Sequence, residues 1–209
     1  NCSNLTSLDV SNFDTSNVTY MSAMFYKRKK LTSLDVSNWN TSKVINMQSM
    51  FESCQSLTSL DVSNFDTSKV TSMYAMFWSC WGLTSLDVSN FDTSKVASIG
   101  SFIGKGSLTT LNLNGVTINS SNIGDGRILT EQPNLDKIYI NNLETLSSTL
   151  QFLPNRTGKG SGQLVTTLNL DDTIIGTLST KNWTVKSLVA QYRFDANTYE
   201  NLIPEFNLE

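Results

Sequence analysis

The carboxylates, thiols and thioethers of this chain are its chemically capable side chains, and their spacing is regular. Asp9, Asp35, Asp61 and Asp87 recur every 26 residues, and Cys2, Cys54 and Cys80 fall on the same period, interrupted by Arg28. All six methionines do likewise, at 21/47/73 and 24/50/76. Such sets invite paired-carboxylate acid–base work, thiolate nucleophiles or metal ligands, and soft-metal sites. Each meets an objection. The chain has no histidine, which excludes the serine triad, Cys-His pairs and His-ligated zinc. Three cysteines cannot form a four-thiolate zinc site. An acid–base pair needs surroundings that drive two pKa values apart, and nothing distinguishes one aspartate from its copies. The run Gly158-Lys159-Gly160-Ser161-Gly162 lacks the spacing of a phosphate loop. No enzyme and no cofactor is expected.

Composition narrows the partners. With 15 Lys+Arg against 18 Asp+Glu, the net charge of -3 argues against a phosphate-binding surface, so nucleic acid is not an expected partner. No run of 18 apolar residues exists to insert into a membrane. Asn1-Cys2-Ser3-Asn4 shows no signal-peptide pattern, so the chain reads as a mature or excised fragment.

The elements that position these residues follow from the repeat. Leu-Thr-Ser-Leu-Asp-Val-Ser-Asn begins at Leu5, Leu31, Leu57 and Leu83. Weaker copies start at Leu108, Leu135 and Val165, with the spacing drifting to 25, 27 and 30. Within a copy, Leu57, Leu60 and Val62 predict a short strand with one apolar row, continued inward by Phe65. Val70, Met73, Met76 and Phe77 then fall at i, i+3, i+6 and i+7, one face of a helix, and the preceding Asp66-Thr67-Ser68 would cap it. The fold expected is therefore an α/β solenoid, a leucine-rich-repeat stack of about seven strand-turn-helix units over residues 1–176, with regular repeats at 5–107 and irregular ones at 108–176. Residues 177–209 read as a C-terminal cap or the start of a following domain, with Trp183 and Val185 alternating as a strand would. The loops at 118–134 and 154–163 read as long and flexible.

Stacking turns these spacings into columns about 5 Å apart. The methionine columns, beside Phe and Val, read as core. Trp39 takes a phenylalanine position and reads as core too. Cys54 and Cys80 would be close enough for a disulfide or would sit as buried free thiols, the favoured reading, with Cys2 facing Arg28. The strand-face column Asp9, Asp35, Asp61, Asp87 continues as Asn112, Tyr139 and Asn169. Four carboxylates in line repel by roughly 0.8 kcal/mol per neighbouring pair in water, so something offsets them. Flanking serines, a cationic or hydroxyl-rich partner, or calcium would do so, although a line of acids is poor chelating geometry. The loops supply contrast: Tyr26-Lys27-Arg28-Lys29-Lys30 in one copy, Trp78-Ser79-Cys80-Trp81-Gly82 two copies later. Lys27, Lys29, Lys30, Trp78 and Trp81 thus join Asp9, Asp35, Asp61, Asp87 and Tyr139 as candidate ligand contacts, against a background reading of solvated loop and half-buried indoles.

The combined motif, Leu57-Thr-Ser-Leu-Asp-Val-Ser-Asn-Phe-Asp-Thr-Ser-Lys-Val followed by Met73-x-x-Met76-Phe77 and Cys80, resembles the BspA-like leucine-rich-repeat family of bacterial surface proteins, also found in mycoplasma lipoproteins. The resemblance covers residues 5–104 specifically and 105–176 weakly. It implies an extracellular protein, anchored to the cell surface through regions outside this fragment, that adheres to host matrix proteins, host cells or other bacteria; the residues themselves add a host surface protein or a glycan as expected partners. The resemblance carries over no ligand-contact residues. The function expected is a non-catalytic binding module acting through the strand face and adjoining loops, with a structural spacer as the alternative.

Overall fold

The apolar rows of the repeat do meet in one core. In the computed structural model, which describes residues 4–124, 126–156 and 158–188, Leu31, Leu57 and Leu83 are buried, as are Val36, Val62 and Val88. Trp39, Phe65 and Phe91 continue the row inward. Each 26-residue copy makes one coil of chain that lies on the next. The methionines line the interior: Met21, Met47, Met50, Met73 and Met76 have no exposed surface. Beside them Phe25, Phe51 and Phe77 stack with centroids 5.6 Å apart and rings 8° from parallel. Cys2, its expected contact with Arg28, and the tail from residue 189 onward lie outside the described residues.

The strand-turn-helix unit is overturned. Among the described residues the chain builds one five-stranded, all-parallel sheet in the order β1 (Ser85–Asp87), β2 (Thr110–Asn112), β3 (Lys137–Tyr139), β4 (Gly162–Thr166), β5 (Trp183–Ser187). It has two short α-helices, α1 (Leu143–Thr149) and α2 (Asp172–Thr180), and a 3-10 helix at Leu150–Phe152. None of the four blocks beginning at Val18, Val44, Val70 and Val96 is helical. Two residues per block sit at positive φ, four apart: Ala23 and Lys27, Ser49 and Ser53, Ala75 and Ser79, Ser101 and Lys105. An α-helix cannot pass through such residues.

Backbone hydrogen bonds show what replaces the helix. Met21, Ala23, Phe25 and Lys27 donate their N–H groups to the carbonyls of Asn46, Gln48, Met50 and Glu52 on the next coil, at 2.8–2.9 Å. The intervening Met24 and Tyr26 donate three residues back, to Met21 and Ala23. Successive β-turns therefore bring apolar residues inward every three or four positions, as a helix does, while half the donors tie the coils together. Geometry favours this arrangement. A helix is about 10 Å across whereas paired strands are about 4.8 Å apart. A turn layer lets both sides of each coil advance at strand spacing.

Two further expectations shift. The last repeat is registered on β4, where Leu164 pairs with Ile138 and Val165 with Tyr139, so Asn169 does not extend the aspartate column. Residues 168–171 are consumed in entering α2, whose N-cap Asp171 accepts from Ile174 N–H at 2.8 Å. The glycine-rich loop is also held down. Asn182 donates to Arg156 and Lys159 carbonyls, and the buried Arg156 guanidinium bonds the Gly160 and Leu135 carbonyls and pairs with Asp136. β5 then pairs parallel to β4, with Trp183 seated on Gly162.

Candidate functional site

The Asp-Val-Ser tripeptide fixes the strand-face carboxylates locally. An aspartate side chain readily accepts from the N–H two residues on. Here Ser11, Ser37, Ser63 and Ser89 donate to Asp9, Asp35, Asp61 and Asp87 at 2.9–3.0 Å. All four aspartates are exposed and lie one per coil. Serine hydroxyls first, and serine N–H groups second, hold Asp9, Asp35 and Asp61 below the ordinary carboxylate range. The neighbouring acid pushes the other way, Asp9 on Asp35 and Asp35 on Asp61. The column ends where Asn112 in β2 donates to Asp87 at 3.1 Å. A shallow groove of about 480 Å³ opens over the third and fourth coils, lined by Ser59, Asp61, Ser63, Ser85, Asp87 and Ser89.

A second acidic column behaves differently. Asp14, Asn40, Asp66 and Asp92 accept from the N–H of Ser16, Ser42, Ser68 and Ser94, so these residues cap turns, not helices. Lys43 lies close enough to stabilise the Asp14 carboxylate, and Lys69 and Lys95 do so for Asp66. The Asp14 column thus has its own cations, while the shifts at Asp35 and Asp61 carry a repulsive carboxylate and no cation.

Next to this second column runs a column of threonines. Thr15, Thr41 and Thr67 are buried, and each hydroxyl donates to a carbonyl of the next coil, of Asn40, Asp66 and Asp92, while accepting the same residue's N–H at 2.8 Å. Each threonine acts as a two-way clamp. Its only signal in the sequence was a threonine where a cap needs none.

The loop candidates separate. Trp78 is half-buried across the fourth coil, where a Cβ on Gly104 would come within 2.2 Å of its ring. Trp81 is 41% exposed. Lys27, Lys29 and Lys30 are exposed, with the Lys27 ammonium 4.7 Å from the Tyr26 ring centroid. Tyr139 stands in β3 between Asn112 and Val165, half-buried, and is not grouped with the lysines. Cys54 and Cys80 are free thiols donating to the carbonyls of Phe25 and Phe51 at 3.2 and 3.1 Å. Burial pushes Cys54 up to about 12 and Cys80 up as well, so neither is a thiolate at neutral pH. Among the described residues no three Cys, Asp or Glu side chains converge as metal ligands.

Residues 1–115 match the family described as "Mycoplasma protein of unknown function, DUF285", a match that takes in the four regular coils and β2. No curated protein and no solved structure matches the chain.

Proposed function

The chain belongs to the DUF285 family, and from that premise we propose that it is a non-catalytic binding module of a cell surface, adhering to a host or microbial protein or glycan through its strand face and adjoining loops. The observation that carries this reading is the Asp9–Asp35–Asp61–Asp87 column. Its carboxylates are exposed and pre-positioned by their own serines, and among the described residues no cation acts on Asp9, Asp35 or Asp61, beside a second column with lysines close to Asp14 and Asp66. Pre-positioned like charges favour a partner that brings cations or hydroxyl groups, because binding then relieves repulsion at little ordering cost. The resemblance of the repeat to the BspA-like surface proteins supports the same reading, and with it an extracellular location anchored from outside residues 1–209.

A spacer is the second reading, and the threonine clamps favour it. They join coil to coil at identical stations, which makes a stiff support for another domain. Binding decides between the two. Residues 1–209, immobilised, are presented with matrix proteins and glycans beside a variant carrying Asp→Asn at positions 9, 35, 61 and 87. Asparagine keeps the turn, as Asn40 and Asn112 show by accepting from Ser42 and Asn114 at 3.1 and 3.2 Å, and removes the charge. Binding that falls at least about tenfold in the variant, and weakens with salt, is the expected result. A wild type that binds nothing on the panel leaves the spacer; a variant that binds equally well makes the column scaffold.

A further inference from the structure

The loop that closes each coil carries a second set of columns, and their chemistry is opposite to that of the strand face. Lys29, Gln55 and Trp81 occupy one column on three consecutive coils, with Lys27 and Lys30 beside the first. The backbone under them is fixed: Lys27, Ser53 and Ser79 share the positive-φ conformation and donate to the carbonyls of Glu52, Trp78 and Gly104 at 2.7–2.8 Å. Consecutive members of the column are therefore about one strand spacing, roughly 5 Å, apart. Of the two indoles in this loop, Trp78 is committed to packing over Gly104, whereas Trp81 presents its ring to solvent. Among the described residues, Lys27, Lys29 and Lys30 take part in no salt bridge.

The geometry points to this column as a binding site for an acidic polysaccharide. Clustered ammonium groups attract sulfates or carboxylates and gain relief from their own repulsion. An exposed indole offers a flat apolar face to a sugar ring, and the Gln55 amide can both donate to and accept from ring hydroxyls. The coil advance is close to the length of one sugar ring, so a chain running along the stack would meet ammonium, amide and indole in turn. An anionic membrane is disfavoured, because a plane needs a broad basic face and this basic loop sits on a chain of net charge -3. A nucleic acid would need more phosphate contacts than one loop supplies. The site rests on the reading of the chain as a binding module but uses residues separate from the aspartate column.

The repeat supplies the variants. Lys27→Ser, Lys29→Gln and Lys30→Ser copy Ser53, Gln55 and Ser56 of the next coil, and Trp81→Gln copies Gln55, so each substitution is one the fold already accepts at that station. Binding of residues 1–209 to heparin, polyuronate, dextran, single-stranded DNA and vesicles containing anionic lipid is measured at two salt concentrations. Wild type is expected to bind heparin or polyuronate more tightly than the other three probes, and less tightly at high salt. The triple lysine variant should lose at least about tenfold and Trp81→Gln about three- to tenfold, with unchanged thermal unfolding. The inference is overturned if neither acidic glycan is bound better than dextran, DNA and vesicles, or if the lysine variant binds as wild type. The quadruple Asp→Asn variant should keep glycan binding at this site. Glycan binding lost with the lysines alone therefore leaves the aspartate reading to its own test, and loss of the aspartate-dependent partner leaves this one standing.

Discussion

The coils from Leu5 to Ser107 and those from Leu108 to Leu188 enclose one continuous core by different means. The first set, nearly identical in sequence, contains β1 and no helix; the second, varied in sequence, contains the other four strands and both α-helices. Identity explains the contrast. When the same side chain stands at the same station on every coil, an aspartate or threonine can capture the same backbone group each time. Asp9, Asp35 and Asp61 capture N–H groups locally in this way on coils without a strand there, and Asp87 and Asn112 make the same capture at the ends of β1 and β2. Once Asn112, Tyr139 and Val165 follow one another at that station, the backbone ladder takes over. In the regular coils, side-chain clamps repeat at the same stations beside the backbone bonds that join coil to coil.

The largest expected effect tests that claim at a clamp. Thr67→Val keeps shape and burial but strips the Asp92 N–H and C=O of their shared partner, and should cost about 1–3 kcal/mol in urea unfolding. The same substitution at Thr110 in β2, where a β-branched residue suits a strand, should stay within about 0.5 kcal/mol. Equal costs would erase the distinction between the two regions. The clamp is not lost after residue 108 but reversed: Thr145 in α1 donates to Val116 O at 2.7 Å and accepts from Ile118 N at 2.9 Å, reaching back to the preceding coil.

Next in size is a change of sign. Ala23 is exposed at φ 56°, a conformation that costs an alanine about 1–2 kcal/mol. Ala23→Gly should therefore stabilise the protein by up to about 1 kcal/mol, whereas in the helix expected from the spacing it would destabilise by about as much. A raised Tm in a thermal melt is the expected outcome.

That expectation failed for a physical reason. Successive turns and a helix both bring residues inward at i, i+3 and i+7, and no glycine marks the positive-φ positions, which are filled by Ala, Ser and Lys. What did read through was most of the inward set, the Leu, Val and Phe rows, the methionine columns and Trp39, governed by apolar period and repeat length, with Phe13 exposed and Met24 and Leu60 only partly buried. The slip at Val165 arose because Val-Thr-Thr-Leu-Asn-Leu copies Leu108-Thr-Thr-Leu-Asn-Leu, while burial selects Leu164 for the sheet. Within the candidate site, the aspartate column was legible as a column but its lack of cations was not, since that depends on which coil each lysine reaches. Nor could the residue types tell Trp81 from Trp78. Gly104, one coil further on, decides which indole lies flat.

The smallest effect expected is on acid stability, and it again divides the molecule. Asp9, Asp14, Asp35, Asp61, Asp66 and Asp92 all titrate below the ordinary carboxylate value of 3.8, chiefly through serine hydroxyls, and all lie in the regular coils. A carboxylate lowered in the folded state contributes stability that is present above the unfolded value and lost as pH falls through the folded one. Exposure keeps each contribution small. Amide hydrogen exchange between pH 5 and pH 2.5 should show protection falling first in residues 5–107, below about pH 4. The quadruple Asp→Asn variant, which can no longer take up protons at Asp9, Asp35 and Asp61, should flatten that fall. Equal loss of protection on both sides of residue 107 would mean that serine-held carboxylates are not what distinguishes the regular coils.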